Sequence, residues 1–242
     1  MRTRDAEIRE LLDAEESLDA QALAHNLRDI RRINALLGWT SYTVRAVARI
    51  VREQQLRSFS LLDVASGSAD MPLAIARWAA RNSIEAHIIA TDISPEIVAV
   101  AREQVAAQPA IPAIQVERQD ALHLPYSDGA FDIALCTLAL HHFDPERAVE
   151  LLRNLARAGR TVLVFDVARS SLAYAGAILL TQALRMHPMT RHDAPASVRR
   201  AYTAPELRTL ADRAGLRKAR VWVGFPFRLA LSWHAPCAST GE

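Results

Sequence analysis

LLDVASGSADMP, Leu61 to Pro72, decides how this chain is to be read. A branched apolar run ends on an acid, Asp63, and five small residues follow before an apolar segment with Pro72 in its first turn. That order describes a buried strand, a tight loop and the start of a helix. Only Gly67 among the five is glycine. No Gly-Lys-Ser/Thr follows, which excludes a P-loop, and the alternate spacing Ala65, Gly67, Ala69 is not the G-x-G-x-x-G of a dinucleotide site. Small residues let backbone approach a ligand and let the helix pack close to the strand. Alanine suffices where closeness is the demand, but at a positive φ it costs roughly 1 kcal/mol.

Outward from this stretch, strands and helices alternate. After SLLDV (60–64) come helix MPLAIARWAARN, strand AHIIATDI (86–93) and helix SPEIVAVAREQVAAQ with Ser94 as its N-cap. AIQVERQDA (113–121) and FDIALCTLAL (131–140) read as the third and fourth strands, and TVLVFDV (161–167) as the fifth, after a helix ended by Gly159. Such alternation predicts a parallel, doubly wound sheet covered on both faces. The end differs. A helix capped at Thr203 precedes KARVWVG and PFRLALSW, whose short connection predicts an antiparallel hairpin. The first fifty residues read as two helices separated at Gly38.

Ligands of such sheets bind beyond the carboxyl ends of the strands, near the switch point. The small-residue loop follows the first strand, and Asp92 and Asp120 close the second and third. There the one can accept from both ribose hydroxyls of an adenosine and the other can face an adenine amino group; the alternative for either alone is a helix cap or a solvated turn. With LLDVASGSAD, IIATDISPEIVAVAR and VERQDALHLPYSDGAFDIALCTLALHHFDP in these places, the chain resembles the class I S-adenosylmethionine-dependent methyltransferases, in the small-molecule group that includes quinone-biosynthesis enzymes. The resemblance runs from about Leu61 to Asp166. It implies a Rossmann-like, seven-stranded, mostly parallel sheet with a C-terminal antiparallel hairpin, and S-adenosyl-L-methionine as cofactor. It also implies that backbone at Ala65, Ser66 and Gly67 holds the methionine part, with Asp63 orienting the loop or the ammonium. Asp92 would meet the ribose, Ile93 the adenine face, Asp120 and Ala121 the adenine edge, and Thr137 and Leu138 the sulfonium side.

His141 and His142 follow the fourth strand, at the rim where chemistry is expected. A neutral imidazole can take a proton from a hydroxyl acceptor; the other reading is that the pair ties down its loop. Residues 1–56 form an N-terminal helical lid in this reading, with Arg31, Asn34, Trp39 and Tyr42 as candidates to fold over the cofactor. Residues 57–242 form the methyltransferase domain, with 168–202 inserted as a substrate cover. That insertion carries an apolar face, Ile178, Leu180 and Leu184, and the polar run Arg191, His192, Asp193. Arg191 and His192 are candidate anchors for an anionic group on the substrate, the alternative being a local ion-pair turn. The expected reaction is methylation of a small, aromatic or otherwise apolar acceptor, at oxygen before carbon or nitrogen. The alternative is a non-catalytic binding or regulatory protein on the same fold.

Composition bounds the rest. The 242 residues are 50% hydrophobic and 23% charged, with 29 basic against 27 acidic side chains, so no bulk field for nucleic acid is indicated. Cys136 and Cys237 form neither a disulfide framework nor a metal spacing, and no metal is expected. Cys136, within an apolar run, reads as a small core residue. The charged start has no signal-peptide core, and SLAYAGAILLTQAL (171–184) is too short to span a bilayer. A cytoplasmic enzyme with a small-molecule substrate, no nucleic-acid partner and no membrane insertion is expected, and a homodimer is left open.

Overall fold

A computed structural model describes residues 3–5, 7–13, 19–108 and 114–236; Cys237 lies outside them. The elements run α1 (Ala20–Leu36), α2 (Trp39–Glu53), β1 (Ser58–Val64), α3 (Asp70–Arg81), β2 (Glu85–Asp92), α4 (Pro95–Ala106), β3 (Ile114–Arg118) and β4 (Phe131–Thr137). They continue with α5 (Pro145–Ala158), β5 (Gly159–Val167), α6 (Ser171–Ala183), α7 (Pro188–Arg200), α8 (Ala204–Arg213), β6 (Arg220–Gly224) and β7 (Arg228–His234). One seven-stranded sheet has the order β3-β2-β1-β4-β5-β7-β6. The first five strands pair in parallel, while β7 inserts antiparallel between β5 and β6. The expected closing hairpin is therefore present. The strand order reverses between β1 and β4, so a crevice opens at their carboxyl ends.

Alternation along the strands divides the core into two layers. Leu61, Ile133, Leu135 and Phe165 pack with Val47, Ile50, Val51, Leu73 and Ile75 on the α2/α3 face. Leu62, Val64, Ala134, Cys136 and Val164 pack with Leu151, Leu152, Leu155, Leu207 and Leu210 on the α5/α8 face. Each such side chain contributes roughly 1.5–3 kcal/mol on burial. Cys136 is fully enclosed, as expected, and burial raises its thiol pKa.

Local chemistry sets the boundaries. Ser94 Oγ accepts from the Ile97 amide at 3.2 Å, and Thr203 with Glu206 forms a capping box on α8. Helix α5 passes into β5 without a loop at Gly159, where a Cβ would stand 2.5 Å from that of Ala134. Two expected strands end sooner than predicted. β3 stops at Arg118, its last rung being the Gln119 amide on the Asp92 carbonyl at 3.0 Å before Asp120 closes a turn on the Leu122 amide, and β4 stops at Thr137, because Leu138 takes φ +57°. The segment 168–202 is a helical pair, α6 packed on α7. Among the described residues no helix is long and apolar enough to cross a membrane.

Candidate active site

The loop after β1 holds three left-handed residues at alternate positions: Ala65 at φ +56°, Gly67 at +57° and Ala69 at +60°. The pattern therefore demands conformation as well as closeness, and alanine meets it under strain at two of the three places. A network of polar contacts holds the loop there. The Ser66 amide donates to the Thr91 carbonyl at 2.8 Å, and Ser66 Oγ donates to Asp63 Oδ2 at 2.6 Å. From the next strand, Asp92 accepts from the Gly67 amide through Oδ2 at 3.0 Å and from the Ser94 amide through Oδ1 at 3.2 Å.

Over this loop opens a cavity of about 1110 Å³. Asp63, Ala65, Ser66, Gly67, Asp92 and Ile93 line it at the β1 and β2 ends. Ala121, Thr137, Leu138, His141 and His142 line it from the loops after β3 and β4. Of the sequence-derived cofactor set only Asp120 stands aside. Its carboxylate accepts from the Leu122 amide at 2.9 Å and faces His123 Nδ1 at 3.0 Å, closing a local turn, and its neighbours Gln119 and Ala121 line the cavity instead. The Asp120 carboxylate is thus engaged in its own turn rather than lining the cavity.

Burial shapes the acids of the cradle. Desolvation raises the Asp63 carboxyl to about 7 against the bond from Ser66, and the charges of Asp70 and Asp92 push the same way. Asp63 Oδ1 is buried without a hydrogen-bond partner, and so is Thr137 Oγ1. Burial also raises Asp92, opposed by the amides of Ser94 and Gly67.

The two histidines behave differently from expectation. His141 is enclosed; its Nδ1 meets Asp166 Oδ1 at 2.7 Å, and its amide donates to Asp166 Oδ2 at 2.9 Å. Its Nε2 stands 3.4 Å from Glu10 Oε1. Burial by itself would depress the pKa of this ring, but Asp166 and Glu10 outweigh it and push the value up to about 10. With this surrounding the ring favours its protonated form, which suits the loop-tying reading of His141 better than that of a neutral base. His142 sits half-buried with Nδ1 2.8 and 3.0 Å from the Asp13 carboxylate. Asp13 is held at about 2: desolvation works against that, and His142 and Arg200 prevail.

Arg191 and His192 do not reach the cavity. They line a smaller surface depression with Tyr174, Pro188 and Arg199, on the outer side of α7. His192 pairs with Asp193 at 2.9 Å, within a helix rather than a turn. Asp193, Ala194, Ser197 and Val198 face inward, because α7 turns its other side to the cavity. Residues 3–5 and 7–13 cross over the opening as a strap. Arg4 donates to the carbonyls of His141 and Phe143 at 2.9 Å, and Asp193 accepts from the amides of Leu11 and Leu12 at 2.7 and 3.2 Å. From α1, Leu23, Leu27, Ile30 and Asn34 add to the wall, with Asn34 donating to Asp70 at 3.0 Å. Trp39 lines the cavity as well, whereas Tyr42 packs on Phe165 and accepts from Trp222.

Sequence reading missed Glu10 and Asp13 in the cavity wall and Asp166, buried behind His141. Asp166 lies one residue before the end of β5, close to where Asp92 ends β2, and that signal was available. Glu10 and Asp13 carry no local signal, because only the strap's path brings them to the histidines.

Residues 61–161 match the family model described as a methyltransferase domain. Over that span the chain resembles the class I S-adenosylmethionine-dependent methyltransferases. A demethylmenaquinone methyltransferase of Thermus thermophilus is 34% identical over 106 residues, covering 43% of this chain and 46% of that protein. The chain thus spans less than half the length of the first curated relatives it matches. Among solved structures, an S-adenosylmethionine-dependent methyltransferase from Aquifex aeolicus superposes with TM-score 0.59 at 15% identity, covering 91% of this chain and all of that one. Magnesium protoporphyrin IX methyltransferase from Synechocystis, solved with bound S-adenosylhomocysteine, gives TM-score 0.57 at 18% identity over 92% of this chain and 90% of that one. At these identities the structural likeness speaks to the fold.

Proposed function

We propose that this chain transfers a methyl group from S-adenosylmethionine to a small, largely apolar acceptor, with oxygen as the acceptor atom. The observation that carries the reading is the left-handed loop at Ala65, Gly67 and Ala69, pinned by Asp92 at the switch point and opening directly into the cavity. The residues present suit the cofactor. A Cβ built on Gly67 would meet nothing within 4 Å, so the cradle is open where backbone approach is needed. Asp63 Oδ1 and Thr137 Oγ1 are buried beside it with unused hydrogen-bonding capacity, which buried polar atoms rarely retain without a partner.

In this reading Ala65, Ser66 and Gly67 hold the methionine part by backbone and Asp63 pairs with its ammonium. Asp92 keeps free lone pairs for the ribose hydroxyls, the exposed Ile93 offers an apolar shelf to the adenine, and Ala121 borders it. Thr137 and Leu138 stand on the sulfonium side. When bound, the cofactor supplies an electrophilic methyl group. The protein's part is to orient the acceptor and keep water out, and placement of this kind is worth roughly 7–11 kcal/mol. Ala173, Gly176, Ala177 and Leu180 of α6 and Val198 of α7 give the acceptor an apolar wall, which residues 7–13 close. The match to a demethylmenaquinone methyltransferase supports the small-molecule class.

Calorimetry with S-adenosylhomocysteine tests the reading, followed by incubation with S-adenosylmethionine and a panel of hydroxylated aromatic acceptors. Stoichiometric binding and acceptor-dependent release of S-adenosylhomocysteine are expected. Absence of binding at millimolar nucleoside would overturn it and favour a non-catalytic binding protein.

A further inference from the structure

Where the strap passes the loop after β4, three donor groups converge. Glu10 Oε1 lies 3.4 Å from His141 Nε2, and Glu10 Oε2 lies 3.8 Å from His142 Nε2. The donor atoms of the three residues stand within 4.8 Å of one another, and all three residues border the cavity. Glu10 is only 4% exposed, yet Oε1 has no hydrogen-bond partner. That oxygen meets His141 Nε2 only as a long ion pair, so a cation that takes the place of the Nε2 proton would satisfy the carboxylate and both rings together.

The opposite ring edges are equally informative. His141 Nδ1 is bonded to Asp166 at 2.7 Å, and His142 Nδ1 to Asp13 at 2.8 and 3.0 Å. A carboxylate on Nδ1 holds the proton there, orients the ring and makes Nε2 the more basic nitrogen; histidines that ligate metals almost always carry such a partner. Both rings here carry one. We infer that Glu10, His141 and His142 form a binding site for a divalent transition-metal ion, with the remaining coordination positions open to the cavity. Ligands about 2.0–2.1 Å from a common tetrahedral ion lie about 3.3–3.4 Å apart; Glu10 Oε1 and His141 Nε2 already stand at that distance, and the wider edges of the set, within 4.8 Å, must draw in around the ion.

Two imidazoles and one carboxylate suit zinc, iron(II) or cobalt(II), and not magnesium or calcium, which prefer all-oxygen cages. The surroundings accept a dication. Glu10, Asp13 and Asp166 place three carboxylates around the rings, and among them Arg200 binds only Asp13. The scaffold is also tied down, with Arg4 bonded to the carbonyls of His141 and Phe143 and Arg200 to that of His142. Sequence spacing pointed to no metal because the set joins the beginning of the chain to a distant loop. Resting on the proposed function, the ion faces an oxygen-bearing acceptor: a phenolate or enolate oxygen is the donor class that would fill an open position.

The test uses the full chain, dialysed against a chelator and titrated with cobalt(II) or zinc(II). One equivalent should bind at micromolar affinity or tighter, cobalt giving visible d–d bands of low-symmetry, nitrogen-containing coordination. Glu10→Gln and His142→Ala should each weaken binding at least tenfold, and Asp13→Asn about tenfold, with circular dichroism showing folded protein. Failure to bind either ion at millimolar concentration would overturn the site, as would equal affinity in folded Glu10→Gln and His142→Ala. S-adenosylhomocysteine calorimetry on the chelated protein is read separately. Nucleoside binding without metal leaves the proposed function and removes this inference; metal binding without nucleoside does the reverse.

Discussion

The Gly67 amide donates to Asp92 Oδ2 at 3.0 Å, so the carboxylate that ends β2 holds the loop that follows β1. Asp92 thus builds the cradle, and in the proposed function it also offers its remaining lone pairs to the ribose. Asp92→Ala is expected to weaken S-adenosylhomocysteine binding by about tenfold or more, since hydrogen bonds to a charged acceptor are the strong ones. It should also destabilise the protein by about 1–3 kcal/mol, because the Gly67 and Ser94 amides lose their partner. Calorimetry reads the first effect and urea unfolding the second. Full affinity in a destabilised variant would confine Asp92 to the loop.

Strain at Ala65 has a separate consequence. A non-glycine residue at φ +56° bears about 1–2 kcal/mol, part of which glycine returns as unfolded-chain entropy. Ala65→Gly should stabilise the protein by about 0.5–1 kcal/mol in urea unfolding. Ala69→Gly relieves the same strain at φ +60° but removes a fully buried methyl, worth about 0.8 kcal/mol, so it should come out near neutral. Equal gains at both sites would show that the Ala69 methyl packs poorly.

These two positions also show what the sequence carried. Alternation of apolar runs, a serine cap before Pro95 and a capping box at Thr203 all act within a few residues, and each was legible. So was the chain of small residues, though not its need for positive φ at all three places, because alanine also satisfies mere closeness. Which way a side chain points from α7 was not legible: Arg191, His192 and Asp193 are consecutive, and helical rotation alone sends the first two outward and the third to the strap. The environment of His141 was out of reach for a related reason. Asp166 and Glu10 come to it from β5 and from the start of the chain, so the long-range fold decided the charge of that ring.

A proton on Asp63 links stability to pH. Its folded pKa of about 7 lies above the ordinary carboxyl value of 3.8. The folded state therefore binds the proton more tightly than the unfolded state. The stability this contributes is fully present below pH 4 and is lost as pH rises through 7. Asp63→Asn should flatten that part of the profile, seen as a difference in unfolding free energy between wild type and variant from pH 4.5 to 7.5. The slope should shrink when S-adenosylhomocysteine is present, because an ammonium beside the carboxylate favours ionisation. Parallel wild-type and variant profiles would mean that Asp63 is ionised throughout.

Closure of the cavity rests on Asp193, whose carboxylate accepts from the amides of Leu11 and Leu12. Asp5 reinforces the seam through its amide to the Arg199 carbonyl at 3.1 Å and its carboxylate to the Arg199 guanidinium at 2.5 Å. Hydrogen bonds to a charged acceptor contribute about 1.5–3 kcal/mol each, enough to hold a short segment that has little apolar burial of its own. Asp193→Ala should raise amide exchange across residues 7–13 by about tenfold or more, by lowering the free energy of local opening, while exchange in β1 and β4 stays unchanged. The comparison with Asp5→Ala separates the two halves of the seam: the partly exposed Asp5–Arg199 pair is worth about 0–1 kcal/mol, so its loss should loosen the strap less. If Asp193→Ala leaves exchange at Leu11 and Leu12 untouched, the strap is held instead where Glu10 meets the two histidines.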